Sequence, residues 1–316
     1  MTAYEVAIGP ALASPARTQA PKRGTLRVGA VQTSWHPDRA EHRAVLAQGI
    51  RLAAENGARI VCLQELTLSP YFATHPDRHT QAQAFAESIP DGPTTAFAGA
   101  LARETGTYIH ASLYERAGRG LGFNTAICVA PDGNVVAHTR KMHIPCFPGY
   151  HEDKYFDEGD SGFPVVAMLG AAFAFPTCWD QWFPELARCY VLRGADVIVY
   201  PTAIGSEPHR GAFDTQPLWE QMIRTNGLAN ATFMIAVNRV GREEPLEFYG
   251  SSFISDPYGR VLVQAPRASD AVIVADLDLD QRRDWLEFGL LSTRRPSQYT
   301  PIVEEQAAGA DAAASA

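Results

Sequence analysis

Gly170-Ala-Ala-Phe-Ala-Phe-Pro-Thr-Cys178-Trp-Asp-Gln-Trp-Phe-Pro-Glu-Leu-Ala-Arg188 is the stretch on which the reading of this chain turns. Its first half, through Thr177, is a short apolar run of the kind that forms a buried strand. Its second half predicts a helix. Asp180 can cap it, Pro184 is tolerated near its start, and Glu185 complements its positive end. Cys178 stands at the junction. A thiol at a sharp strand-to-helix turn is presented at the sheet edge, near helix N–H groups that favour the thiolate. Cysteine is otherwise among the most buried residue types, and Cys62 and Cys128, inside apolar runs, read as packing residues. Cys178 reads as a nucleophile because charged residues close two comparable strands.

The first of these is Glu65, which follows the strand-like run Ala58 to Gln64. The second is Lys141, which ends Val135-Val-Ala-His-Thr-Arg-Lys141 after the turn at Pro131 to Asn134. In open α/β architectures, sites gather outside the carboxyl ends of strands. A charge closing a strand is most often simply solvated. Together the trio has a chemistry: a thiol to attack, a carboxylate to move protons, and a cation to stabilise an oxyanion.

The ordered trio Glu65, Lys141 and Cys178 resembles the Glu-Lys-Cys triad of the nitrilase superfamily of carbon–nitrogen hydrolases, over roughly residues 25–300. Lys141-Met-His-Ile-Pro145, Gly149-Tyr-His-Glu152, Tyr155-Phe156 and Gly159-Asp160 are similar to its N-carbamoyl amidohydrolase branch. Cys178 to Glu185, Tyr200 to Pro208 and Arg294 to Tyr299 resemble the members acting on N-carbamoylputrescine. The resemblance implies a four-layer α-β-β-α sandwich, metal-free and cofactor-free hydrolysis of a small-molecule amide, and assembly into a homo-oligomer. It also implies a second site glutamate, which by its position after Lys141 is Glu152.

The mechanism implied is thioester chemistry. Glu65 takes the Cys178 proton, while Lys141 and the backbone N–H of Trp179 hold the oxyanion. Ammonia leaves, and water releases a carbamate that loses carbon dioxide. Carbamoylases acting on α-amino acids place arginines shortly after the nucleophile. Here Gln181 and Trp182 stand there, which suits an apolar or cationic tail; an aromatic face such as Trp182 can hold a cation. His209-Arg210 departs from the putrescine pattern, and Arg210 could instead bind a carboxylate, as an N-carbamoyl-β-alanine amidohydrolase needs. An amidase, a nitrilase and a catalytically silent assembly protein of the same fold are the other readings. The last is disfavoured by the complete trio.

Composition agrees. Of 316 residues, 46% are hydrophobic, enough for one large core. The net charge of −8 argues against nucleic-acid or anionic-membrane surfaces as partners. Five cysteines without a CxxC pair argue for neither a disulfide framework nor a zinc knuckle, and fit a reduced cytoplasm. No HExxH, GxGxxG, GxxxxGK[ST] or GxSxG occurs. Residues 1–24 read as a flexible extension without signal-peptide character, 25–303 as the hydrolase domain and 304–316 as a disordered tail. Between the ends, strands alternate with helices predicted at Ala40–Asn56, His79–Ser88, Pro93–Glu104, Pro217–Asn230 and Leu279–Phe288.

Overall fold

A computed structural model describes residues 3–211 and 213–304. The expected tail therefore lies, beyond residue 304, outside the described residues. The chain begins with β1 (Glu5–Gly9), β2 (Thr25–Gln32), α1 (Arg39–Glu55) and β3 (Ile60–Leu63). It continues through α2 (His79–Gln83), α3 (Pro93–Thr105), β4 (Tyr108–Glu115), β5 (Phe123–Val129) and β6 (Val135–Arg140). Two short strands, β7 (Cys146–Phe147) and β8 (Tyr150–His151), pair in the following loop. The second half contains β9 (Val166–Met168), β10 (Ala171–Ala174), α4 (Pro184–Leu192), β11 (Val197–Pro201), α5 (Gln216–Asn230) and β12 (Phe233–Val237). It closes with β13 (Val240–Glu243), β14 (Leu246–Tyr249), β15 (Phe253–Ser255), β16 (Val261–Gln264), β17 (Ala271–Asp278) and α6 (Asp280–Leu286).

The strands form two main sheets, ordered β1-β17-β2-β3-β4-β5-β6 and β16-β15-β12-β11-β10-β9. Strand alternation explains their stacking. Val28, Ala30 and Cys62 of the first sheet meet Phe173, Val197, Val199 and Ile235 of the second in one buried cluster. The intervening residues face outward: Val31, Val61 and Leu63 pack on Leu46 and Ile50 of α1 and Leu101 of α3. Ile198 and Met234 pack on Leu186 and Tyr190 of α4 and Trp219 and Ile223 of α5. Both sheets are thus covered on both faces, giving the four-layer α-β-β-α sandwich. Each fully buried aliphatic side chain contributes about 1.5–3 kcal/mol relative to exposure.

The helices start and stop for local reasons. Asp38 accepts the N–H groups of Ala40 and Glu41 at 2.8 Å and caps α1. Pro93 and Pro184 sit in the first turns of α3 and α4, where the missing N–H costs nothing. Gly106 ends α3 in the left-handed conformation.

Three expectations are corrected. Within the flexible extension expected over 1–24, Glu5–Gly9 forms an edge strand parallel to β17. Tyr4 bonds Val45 and Arg17 pairs with Asp278 and Asp284. Ala/Pro-rich composition hid a five-residue strand whose hydrogen bonds come from a distant part of the chain. The helix near His79–Ser88 stops at Gln83. Finally, Asp180 does not cap α4. A 3₁₀ turn fills Cys178–Trp182, and α4 begins only at Pro184.

Candidate active site

Three chain segments end at one point. Glu65 lies two residues beyond β3, Lys141 directly follows β6, and Cys178 follows β10. The side chains of Glu65 and Lys141 are fully buried. Lys141 Nζ donates to Glu65 Oε1 at 2.9 Å and to both oxygens of Glu152, at 2.8 and 2.6 Å. Burial alone would discharge a lysine. Here the charges of Glu152 and Glu65 outweigh it and hold the lysine well above its ordinary value, so it is an ammonium.

Glu65 uses one oxygen and keeps the other. Oε1 accepts from Lys141 and from Asn124 Nδ2 at 2.7 Å. Oε2 is buried and, among the described residues, has no hydrogen-bond partner. A carboxylate oxygen left open beside a thiol is a proton acceptor in waiting. The buried Arg239 guanidinium fixes the backbone here by donating to the carbonyls of Glu65, Leu66 and Ser69 at 2.9–3.0 Å.

Glu152 is fully buried in the loop from His143 to Gly162. Burial pushes its carboxyl up to about 7, against the pull of Lys141 and with the repulsion of Glu65. Tyr71 donates to its Oε1 at 2.8 Å. Gly159 returns this loop to the Lys141 strand. Its N–H bonds the Lys141 carbonyl at 2.8 Å, and a Cβ there would meet the Arg140 and Lys141 carbonyl oxygens at 2.4 and 2.5 Å, so only glycine fits.

Cys178 adopts φ +42°, a left-handed conformation that a side chain rarely takes. Such strain persists only where surroundings enforce it. Asp180 is the enforcing residue. Its carboxylate accepts the Thr177 N–H at 3.0 Å, the His143 N–H at 2.9 Å and His143 Nδ1 at 2.8 Å. One side chain thereby ties the cysteine turn to the end of the lysine strand. The expected thiolate is corrected. Burial, then the Glu65 charge, push the Cys178 thiol well above its ordinary value, while Lys141 pulls it down only in part. Only the short 3₁₀ turn starts here, and α4 begins six residues later. At rest the Cys178 side chain is therefore held as a thiol. Cys62 and Cys128 are buried thiols pushed up by desolvation, as packing residues are.

Cys178 and Glu152 open into a cavity of about 410 Å³. Its apolar walls are Phe147, Trp179, Trp182, Ile204 and Leu218, and its polar lining includes Glu207 and Arg210. Trp179 and Trp182 both line it, edge to face at 6.2 Å. Trp182 also packs against the α4–α5 layer. Gln181, expected at the substrate, does not line the cavity. It is buried beneath, its Oε1 accepting from Trp219 Nε1 at 2.7 Å, because the 3₁₀ turn aims it at α5. Tyr71, Asn124, Arg239 and Glu207 were not singled out by sequence reasoning. The first three act through contacts between distant segments and leave no local pattern. Glu207 stood inside the Tyr200–Pro208 motif, where a lone acid after a strand was the available signal.

Among the described residues no group of three or more His, Cys, Asp or Glu side chains could hold a metal ion, and no helix is long and apolar enough to cross a membrane. The arrangement can do acyl-transfer chemistry: an oriented thiol, an open carboxylate oxygen and a fixed ammonium in a water-poor pocket.

Comparison with known proteins agrees with this chemistry. The profile of the carbon-nitrogen hydrolase family matches residues 27–287. The chain is 36% identical over 297 residues to the N-carbamoylputrescine amidase of Arabidopsis thaliana, covering 89% of this chain and 96% of that one. It is 36% identical over 287 residues to the citrullinase of Francisella tularensis subsp. tularensis, covering 89% and 99%. The crystal structure of a carbon-nitrogen hydrolase from Helicobacter pylori G27 superposes with a TM-score of 0.84 at 30% identity, covering 90% of this chain and 100% of that one. The chain therefore belongs to the carbon-nitrogen hydrolase family of the nitrilase superfamily and is a hydrolase of amide carbon–nitrogen bonds.

Proposed function

We propose that the protein is an N-carbamoyl amidohydrolase that converts N-carbamoylputrescine and water to putrescine, carbon dioxide and ammonia. The observation that carries the reading is the Glu207 carboxylate. It is half-buried on the wall of the cavity that holds Cys178, and burial raises it above the ordinary carboxylate range. Among the described residues it has no side-chain hydrogen bond or ion pair. A desolvated acid on the wall of a largely apolar cavity favours a cationic tail. The names of the two relatives support this, because N-carbamoylputrescine and citrulline both carry a ureido group and an amine separated by four carbons.

The steps follow from the geometry. Glu65 Oε2 takes the thiol proton as the sulfur attacks the ureido carbonyl carbon. The oxyanion forms beside Lys141 and the backbone N–H of Trp179, each such donor being typically worth about 3–4 kcal/mol of barrier. Glu65 returns the proton to the departing nitrogen, and ammonia leaves an S-carbamoyl thioester. Water, deprotonated by Glu65, attacks the thioester. The thiol is regenerated, and the carbamic acid released separates into carbon dioxide and the amine. Glu152 keeps Lys141 charged and aimed.

N-carbamoyl-β-alanine is the competing substrate, favoured only by Arg210. Its tail is a lone carboxylate, which Glu207 repels. The test is ammonia release from both compounds. N-carbamoylputrescine is expected to be preferred by about a hundredfold or more in kcat/KM, and a preference for N-carbamoyl-β-alanine overturns the reading.

A further inference from the structure

A second cavity, of about 420 Å³, shares no lining residue with the one that holds Cys178. Three guanidiniums converge on it. Arg39 and Arg43 come from α1, and Arg116 directly follows β4. Arg39 and Arg43 stand four residues apart, on one face of the helix, where like charges repel. Three cations are thus gathered in one place in a chain whose net charge is −8.

The protein does not neutralise them. Arg39 lies over the Phe85 ring at 4.4 Å, and Arg116 Nη2 donates to the Ala86 carbonyl at 2.5 Å. Among the described residues none of the three is in an ion pair. These contacts hold two of the guanidiniums in place and leave other N–H edges free. The acids at the cavity are Glu87 and Asp91, two against three. Glu87 is already engaged. Its Oε2 accepts the Thr94 N–H at 2.7 Å and its Oε1 the Thr94 hydroxyl at 2.5 Å, which satisfies the first turn of α3. Burial also raises it above the ordinary carboxylate range. His42 adds no charge near neutral pH, because burial lowers its pKa to about 4. Its Nε2 donates to the Thr67 carbonyl at 2.9 Å, so the cavity abuts the turn that carries Glu65.

We propose that this cavity is a binding site for a small phosphate-bearing anion, held by Arg39, Arg43 and Arg116. Guanidinium forks match phosphate oxygens two at a time, and a phosphate group presents three oxygens and close to two charges. A monocarboxylate offers one charge and two oxygens, and leaves the third arginine unmet. The proposal does not depend on the amidohydrolase reading.

The experiment is calorimetric titration of the full chain with inorganic phosphate, pyrophosphate and acetate. Phosphate and pyrophosphate are expected to bind one per chain, more tightly than acetate and more weakly as sodium chloride is added. Arg39→Gln and Arg43→Gln replace exposed side chains, so the fold is expected to survive. Each should weaken pyrophosphate binding by about tenfold or more, the scale of one charge-assisted contact. Arg43→Lys should keep part of it. Arg210→Gln, in the other cavity, should leave pyrophosphate binding unchanged. The proposal is overturned if neither phosphate nor pyrophosphate binds, or if acetate binds as tightly. It is equally overturned if binding falls in Arg210→Gln and persists in Arg39→Gln and Arg43→Gln, which would place the anion beside Cys178. The amidohydrolase reading is untouched by any of these results.

Discussion

The ammonium of Lys141 touches both carboxylate oxygens of Glu152, at 2.8 and 2.6 Å, with no exposed atom on either side chain. Taking two such charges out of water is costly, and their attraction repays the cost only when geometry and further hydrogen bonds are good. Here Glu65, Asn124 and Tyr71 supply those bonds. In the proposed mechanism the cluster is a catalytic device maintained by the fold rather than a source of stability.

Glu152→Gln tests this through pH. The folded carboxyl titrates at about 7, above its ordinary value of 4.5, chiefly because it is buried. Between these values the folded state binds the proton more tightly than the unfolded chain. The contribution of Glu152 to stability is therefore present at about pH 4.5 and below, and is lost as pH rises through about 7. Denaturant titrations of both proteins should show the variant gaining on the wild type as pH rises from about 5 to about 7. A pH-independent difference contradicts the assignment. Turnover of the variant should fall by about a hundredfold, because the lysine loses its aiming charge.

Tyr71→Phe removes one hydrogen bond to Glu152 Oε1 and little volume. Leaving a buried acceptor short of a donor costs about 1–3 kcal/mol. Reduced kcat, with KM nearly unchanged, is the expected outcome of steady-state kinetics. An effect on KM alone would place Tyr71 at the substrate instead.

The protein is expected to self-associate. Leu192, Phe288, Ile302 and Val303 are exposed apolar residues on and after the α4–α6 side of the sandwich, and the Arg294 to Tyr299 segment lies against Arg188 and Asn226 on this side. Exposed apolar residues on one side of a fold are candidates for contact with a second copy. Sedimentation should show a dimer or larger species at micromolar concentration. A pure monomer contradicts it.

Much of the site was legible because its chemistry sits at strand ends. Glu65, Lys141 and Cys178 each close an apolar run, and a charge or thiol at that place is visible in one dimension. The layers were legible too, since β2, β11 and β12 are apolar on both faces and α1, α3 and α5 carry clear boundaries. What escaped was set by distant contacts. The strand Glu5–Gly9 depends on β17 for every inter-strand bond. Gln181 and Trp182 are adjacent in sequence, yet a 3₁₀ turn sends one to the core and the other to the cavity. The ionisation of Cys178 followed burial rather than a helix terminus, and burial is a property of the assembled sandwich.

The central claim is that Cys178 is the nucleophile, and Cys178→Ala tests it most directly. Ammonia release from N-carbamoylputrescine would be measured for wild type, Cys178→Ala and Cys62→Ala, with thermal unfolding followed on the same samples. The account predicts no turnover above background for Cys178→Ala with the fold retained, and a lowered melting temperature with working chemistry for Cys62→Ala, whose buried sulfur only packs. Turnover by Cys178→Ala near the wild-type rate would contradict the account and require another nucleophile.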